Sequence, residues 1–438
     1  MEEQSEDRSH VRKFAGLPIP PDLKGSHFFN LYFATFFIAC LMAIPAVIQP
    51  AYLKEVINIP REQAGSINSG LQNMSQIATL LFVGFFGILS DRVGRRILVA
   101  LGFIFCWIFF IVYGYTQEIA LAMGITSVGG QVAIAYIIRF FIGVGIVLSF
   151  PQTTTMVADY TTPRDRGKGM ALHGAMMGLG SMLVFGVMVQ LARKTGMMSL
   201  FYMSGALGFL GFLVARWGIV DRLPKGKAQK TGFKVIYQEV SKSLTLKVGY
   251  IVTIITRADI AIVATFIILW MVYMADAEGI TAVKATARGG LVMMVTSLVT
   301  LISYPFLGIL TDRVGRIPVI IAGLIVSGSA FCLVAVTNNP FSPLMYLYAS
   351  LICVGFSGVA VASVTLTADA APKQLLGSIL GGFNTMQPIG ILFFLQAGGY
   401  LFDKWGYWGP FALKGVVSLI CGLWIWTIRK QITIPELK

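Results

Sequence analysis

The feature that most constrains this chain is a succession of long apolar runs that fills nearly all of its 438 residues. A helix needs roughly 20 mostly apolar residues to cross a hydrocarbon core of about 30 Å. Inside that core every backbone polar group must be satisfied within the protein, which helices do segment by segment. The runs fall at approximately 28–52, 66–90, 96–115, 131–156, 168–192, 198–220, 248–274, 289–311, 317–337, 344–368, 376–402 and 407–428. They predict an all-α polytopic membrane protein of twelve spans. The second run is the weakest, since Asn68, Gln72, Asn73 and Gln76 interrupt its first half, and a count of ten or eleven stays open. With only 12% charged residues, the chain cannot clothe a water-soluble globule of this size.

The net charge of +14 invites a nucleic-acid reading, but the positions of the charges exclude it. Assigning loops alternately to the two sides puts 23 Lys and Arg on the side of the termini and seven on the other. By the positive-inside rule this is a cytoplasmic bias, so both termini are expected in the cytoplasm of an inner (plasma) membrane protein. No cleavable signal peptide is expected in the acidic start of the chain. The five cysteines lie within apolar runs and read as core-filling residues. Between the sixth and seventh runs, Lys225, Lys227, Lys230, Lys234 and Lys242 accompany Phe233, Ile236, Tyr237, Val240 and Leu244 at helical spacing. An amphipathic helix against anionic lipid is expected there.

Two internal repeats divide the chain. Gly87-Ile-Leu-Ser-Asp91-Arg92-Val-Gly94-Arg95 recurs 221 residues later as Gly308-Ile-Leu-Thr-Asp312-Arg313-Val-Gly315-Arg316, each time between the second and third runs of its half. Ala158-Asp159 before Pro163-Arg164 likewise recurs as Ala368-Asp369 before Pro372-Lys373. Duplication at matched positions points to two related halves, an arrangement transporters often have.

These motifs resemble those of the major facilitator superfamily, whose loop signature Gly-x-x-x-Asp-Arg-x-Gly-Arg-Arg is matched through Arg96 in the first half and Arg316 in the second. Arg139, Gly143 and Gly145 resemble the Arg-x-x-x-Gly-x-Gly motif of the fourth span, and Arg164 and Arg166 the basic loop after it. The resemblance implies two six-helix bundles rocking about a central site lined by spans 1, 4, 7 and 10. Its expected divisions are an N-terminal tail over 1–27, bundles over 28–220 and 248–428, a linker over 221–247 and a C-terminal tail over 429–438. It also implies that Asp91 meets the positive N-terminal end of the eleventh span and Asp312 that of the fifth, latching the cytoplasmic side. Arg164 and Arg166 are expected as partners of that gate. The fifth span has no Gly-Pro pair and the sugar-porter signature is missing after the sixth, which weakens the drug-antiporter and sugar-porter readings.

Asp259 is the one acid deep within a run, roughly 18 Å along the seventh helix from Lys247. Arg257, two positions away, does not share its helix face, so each needs a partner elsewhere. Arg139 is the expected partner of Asp259. One reading makes Asp259 a proton carrier, because burial and an approaching cation move a carboxyl in opposite directions. A static ion pair and direct substrate binding are the alternatives. Two arginines against one acid leave the cavity positive and favour an organic anion. Lys414 is expected to snorkel to the outer interface. Gln49, Gln72, Asn73, Gln152, Asn384 and Gln387 are candidates for polar contacts in the cavity, although such residues also join membrane helices. His173 reads as structural, with a proton relay as the alternative.

No phosphate-binding Gly-x-x-x-x-Gly-Lys-Ser/Thr loop and no metal-spaced cluster is present, so neither an ATP-driven pump nor an enzyme is expected, and no cofactor. The expected protein is a secondary transporter of a small solute, proton-coupled and monomeric, with lipids and protons as further partners. A non-transporting sensor or assembly factor of the same fold, a uniporter and a drug antiporter stay open as alternatives.

Overall fold

The computed structural model describes residues 12–162, 165–222 and 233–432. Among them, twelve helical segments are long and apolar enough to span a membrane. The weak second run is one of them, a single helix of 33 residues, or about 50 Å.

The first bundle comprises α1 (Gly25–Glu55), α2 (Arg61–Val93), α3 (Arg95–Gly114), a short α4 (Thr116–Ala122), α5 (Val128–Tyr160), α6 (Arg166–Leu183), α7 (Val189–Thr195) and α8 (Met198–Gly218). A π-helical turn, Val184–Met188, joins α6 to α7 within the fifth span, and here Gly186 leaves room for the Met294 sulfur. The expected linker helix is α9 (Phe233–Lys242), which packs on the seventh and eleventh spans; residues 223–232 lie outside the described residues. The second bundle follows as α10 (Leu244–Thr256), α11 (Ala258–Met274), α12 (Ala282–Val314), α13 (Arg316–Ala335), α14 (Leu344–Ala370), α15 (Leu376–Trp405) and α16 (Gly409–Ile428). The seventh span, Leu244–Met274, is interrupted for a single residue at Arg257, whose backbone stays helical and whose N–H still bonds the Thr253 carbonyl, and Asp259 follows two residues beyond.

The N-terminal segment is more ordered than a tail. A hairpin of β1 (Lys13–Phe14) and β2 (Leu17–Pro18) buries Leu17 and, beyond it, Leu23. Phe14 stacks on Tyr32 of α1 at 6.0 Å, and Asp22 pairs with Arg222 at 3.0 Å.

With twelve spans, the ends of the chain share one face with the two repeated loops, here the motif face. Gly94 and Gly315 occupy the same backbone state in the two repeats, with φ +102 in both, where a side chain is strained. This is why the motif keeps a glycine at the corner between second and third helices of each half.

The two bundles meet at the face opposite the motifs, here the outer face. Along α2 and α15, the most extensively packed pair drawn from opposite bundles, Gly65 and Gly399 bring backbone against backbone. A Cβ on Gly399 would sit 2.5 Å from the Gly65 carbonyl oxygen. Toward the motif face the glycines of the same helices have no such neighbours. Gly84 and Gly87 on α2, and Gly377 and Gly381 on α15, have open space where a Cβ would stand.

Glycines within one motif should thus respond differently. Gly94→Ala is expected to cost about 1–3 kcal/mol through backbone strain, and it would also displace Asp221, which accepts the Arg96 N–H at 2.8 Å. Gly87→Ala, in open helix, is expected to leave stability unchanged or raise it by up to about 1 kcal/mol. Thermal unfolding of the purified proteins in detergent checks both.

Candidate functional site

The repeated motifs meet one another within each half. At the motif face Arg95 bridges Asp91, at 3.2 Å, and Asp159 of α5, where they form an ion pair. In the second half Arg316 bridges Asp312, at 3.7 Å, and Asp369 of α14, at 2.9 Å. The first and second repeats are therefore two halves of one clamp, which holds the loop between the second and third helices of a bundle to the end of the fourth. Asp91 and Asp312 keep most of their surface in solvent, with side chains 62% and 74% exposed. Arg92 and Arg313 are exposed as well.

Deeper in the first bundle lies Arg139 of α5, 1% exposed. Its Nε donates to Gln49 Oε1 at 3.3 Å and its Nη2 to Gln72 Oε1 at 3.2 Å. Gln49 in turn donates through Nε2 to Asn68, at 2.8 Å to its backbone carbonyl and 2.6 Å to its side-chain oxygen. Arg139 Nη1 is buried without a partner among the described residues. A guanidinium cannot shed its proton, so this is a permanent positive charge solvated by amide oxygens alone.

In the second bundle Asp259 and Lys414 of α16 form an ion pair, both 0% exposed. Lys414 also donates to Ser418 at 2.9 Å and lies over the rings of Phe331 and Phe394. Arg257, two residues from Asp259, faces away and lies over the Phe356 ring at 5.9 Å.

The outer face is closed by bonds between bundles. Lys54 pairs with Asp276 at 2.8 Å and donates to the Val272 carbonyl at 3.0 Å. Asp403 of α15 accepts the N–H groups of Gly65, at 2.7 Å, and Ser66, at 2.9 Å, near the start of α2. Glu55 accepts the N–H of Ala282 at the start of α12, at 3.1 Å. Asn73 donates to the Leu392 carbonyl at 3.1 Å.

Residues 31–286 and 250–436 match the profile of the Major Facilitator Superfamily. The chain belongs to that superfamily. Among its relatives, magnetosome protein MamH of Paramagnetospirillum magneticum is 30% identical over 401 residues, covering 92% of both chains. Magnetosome protein MamZ of the same organism is 27% identical over 90% of this chain and 62% of its own. A solved POT family transporter in complex with 5-aminolevulinic acid superposes with a TM-score of 0.74 at 13% identity, over 97% of this chain and 98% of that one.

Set against this superfamily fold, several expectations change. Arg139 does not meet Asp259, because the two charges lie in different bundles and each is satisfied within its own. Lys414 does not snorkel outward; its stem and charge are sealed inside the second bundle against Asp259, the one buried acid among the described residues. Asp91 and Asp312 pair with Arg95 and Arg316 of their own bundles and, among the described residues, reach no helix end of the opposite one. Arg166 is exposed at the start of α6, and Arg164 lies outside the described residues. Gln49 and Gln72 carry Arg139, Asn73 joins the bundles, and Gln152 only approaches the Phe86 carbonyl at 3.5 Å. Asn384 and Gln387 pair with each other at 2.8 Å on the exposed motif-side half of α15. His173 is buried beside Thr154, at 3.4 Å. Sequence reasoning missed Lys54, Glu55, Asp276 and Asp403. All four lie near span ends, where a charge needs no explanation until the opposing bundle is placed.

The amide cradle makes a stability prediction. Gln49→Leu removes one acceptor from a buried cation and two bonds to Asn68, and is expected to cost about 1–3 kcal/mol. Gln152→Leu should cost less, given its single long contact. Thermal unfolding measured in parallel checks the order.

Proposed function

We propose that this protein is a proton-coupled secondary transporter that moves a small organic anion across its membrane by alternating access. The observation that carries the reading is the asymmetry of the interface between bundles: bonded and backbone-tight at the outer face, with open space at the glycines of α2 and α15 toward the motif face. Together with the excess of Lys and Arg on the side of the termini, it supports a transporter open toward the cytoplasm. Arg139 and Arg257, neither with a carboxylate partner among the described residues, leave the interior net positive and favour an anionic solute. The full-length likeness to MamH suggests a location, and we place the protein in a magnetosome membrane rather than the plasma membrane expected from the sequence. Proteoliposomes test the activity directly. Uptake of labelled carboxylates, driven by an imposed pH gradient and abolished by its collapse, is expected; absence of flux for every class of solute would leave a non-transporting role for the fold.

Coupling is assigned to the Asp259–Lys414 pair. A proton on Asp259 would leave Lys414 as a lone buried cation, a state tolerable only if the second bundle rearranges around it. Removing one partner should therefore unfold rather than merely inactivate, and Asp259→Asn is expected to cost about 3–5 kcal/mol. The double variant Asp259→Asn, Lys414→Met removes both charges and should restore stability. If the pair couples protons, this restored protein exchanges labelled for unlabelled solute but no longer accumulates it against a gradient. Retained accumulation would reduce the pair to a static tie between the seventh and twelfth spans.

A further inference from the structure

The third and fourth spans pack alike in the two halves. A Cβ on Gly102 of α3 would sit 2.5 Å from the Gly145 carbonyl oxygen of α5, and a Cβ on Gly323 of α13 would sit 2.7 Å from that of Gly355 on α14. The backbones are equally close in both halves, so any difference in the space beside them comes from side chains. In the first half that space is filled, because Phe86, Phe105 and Leu148 pack in one apolar cluster with Phe82 and Phe140. In the second half a groove of about 260 Å³ lies there, between α12, α13 and α14. Four of its lining residues are smaller than their counterparts. At the motif offset of 221 residues, Leu307, Ala322 and Val326 stand where the first half has Phe86, Leu101 and Phe105. Counted from Asp159 and Asp369, Gly358 stands where the first half has Leu148.

The groove has the depth of one leaflet. It begins at Val314 and Pro318, on the two sides of the motif corner, and follows α13 to Val326, roughly 12 Å further on. Half of the hydrocarbon core is roughly 15 Å. Every lining residue is apolar, and Leu310, Val314 and Val326 are exposed on a surface that faces lipid in a membrane. Next to Val314, at the motif-face end, Arg313 is exposed and has no carboxylate partner among the described residues, while its neighbour Asp312 is paired with Arg316.

We propose that this groove binds one acyl chain of an anionic phospholipid from the leaflet on the motif face, with Arg313 holding the head group. Lipid tails are as apolar as side chains, so no hydrophobic preference draws a tail into the protein. A groove offers contact on several sides instead, and its walls would forfeit that dispersion energy if nothing filled it. A single flexible chain entering from the interface suits a slot that is one leaflet long, whereas a neighbouring helix is about 10 Å across with its side chains. The cation then selects among head groups, because a basic residue at the surface of an anionic leaflet strengthens binding about 5-fold. Arg92 supplies the same exposed cation in the first half, beside a wall that is already filled.

The site goes beyond the transport reading and stands whether or not solute flux is found. It is tested by native mass spectrometry of the full chain, stripped of its own lipid in detergent and titrated with phosphatidylglycerol or phosphatidylcholine of identical chains. One phosphatidylglycerol is expected to be held more tightly than any further copy, and about 5-fold more tightly than phosphatidylcholine. Arg313→Gln should remove the preference between the two lipids, and Arg92→Gln should leave it in place. Ala322→Leu combined with Gly358→Leu supplies the side chains of the first half and should abolish the tight site for both lipids. Gly358 has room for the change, since a Cβ there meets Val319 at 3.4 Å and Leu307 at 3.7 Å. If the double variant does not fold, Ala322→Leu alone, at an exposed position, should weaken binding in the same direction. Equal affinity for the two lipids, equal effects of Arg92→Gln and Arg313→Gln, or tight binding that survives the filled groove would overturn the proposal. So would a protein dimer that excludes lipid and is lost on filling the groove, which would assign this face to a second copy of the chain.

Discussion

The contact on which the structure depends is the backbone approach of Gly65 to Gly399. In a membrane there is no hydrophobic drive to bring two helices together, since lipid tails are as apolar as side chains, and association rests on close packing and polar contacts. Glycine at both positions lets α2 and α15 come near enough for Ser69 to pack against Gly399 and for Asn73 to reach the Leu392 carbonyl. Asp403 could not otherwise reach the amides of Gly65 and Ser66. The two bundles are one molecule at the outer face because their backbones touch there. They are separable at the motif face because the glycines at that end have no opposing atoms.

Much of this fold was legible in the sequence for a simple reason: the bilayer enforces a length and a polarity on every span. All twelve apolar runs became spans, and even the polar first half of the second run is explained, because Asn73 is bonded across the interface while Asn68 and Gln72 join the Arg139 network inside the first bundle. The repeated loops were legible because duplication is visible without structure. That Arg95 meets Asp159 and Arg316 meets Asp369 was not, although all four residues stood out as repeats, because sequence spacing does not say which loops share a corner. The interruption at Arg257 and the π-turn at Val184–Met188 had no proline to announce them.

The outer closure was illegible for a different reason. Lys54, Glu55, Asp276 and Asp403 are charges near the ends of spans, where the interface is wet and almost any polar residue is tolerated. Their partners lie 218 to 338 residues away across the bundle interface, and only the placement of one bundle on the other reveals them. The pairing of the buried charges failed through a wrong assumption about distance. Arg139 and Asp259 are opposite in sign and similar in depth, which suggested a pair, but Lys414 is nearer in the fold and was discounted as a residue that would reach for water.

The two halves share their motif-face clamp but not their interiors. In the first bundle Arg139 is a buried guanidinium held by neutral amides from α1 and α2, with no counter-ion among the described residues. In the second Asp259 and Lys414 cancel beside Phe331, Phe394 and Ser418, and Arg257 lies apart over the Phe356 ring. The difference matters for mechanism because a neutral pair can be switched by one proton, whereas a guanidinium cannot be switched at all. Of these charges only the second bundle's pair can be switched, while Arg139 supplies a constant positive potential in the first. The proposed anion carrier would be well served by that division. In it the fixed charge would attract the solute in every conformation, and the switchable pair would decide when the bundle that closes over it moves.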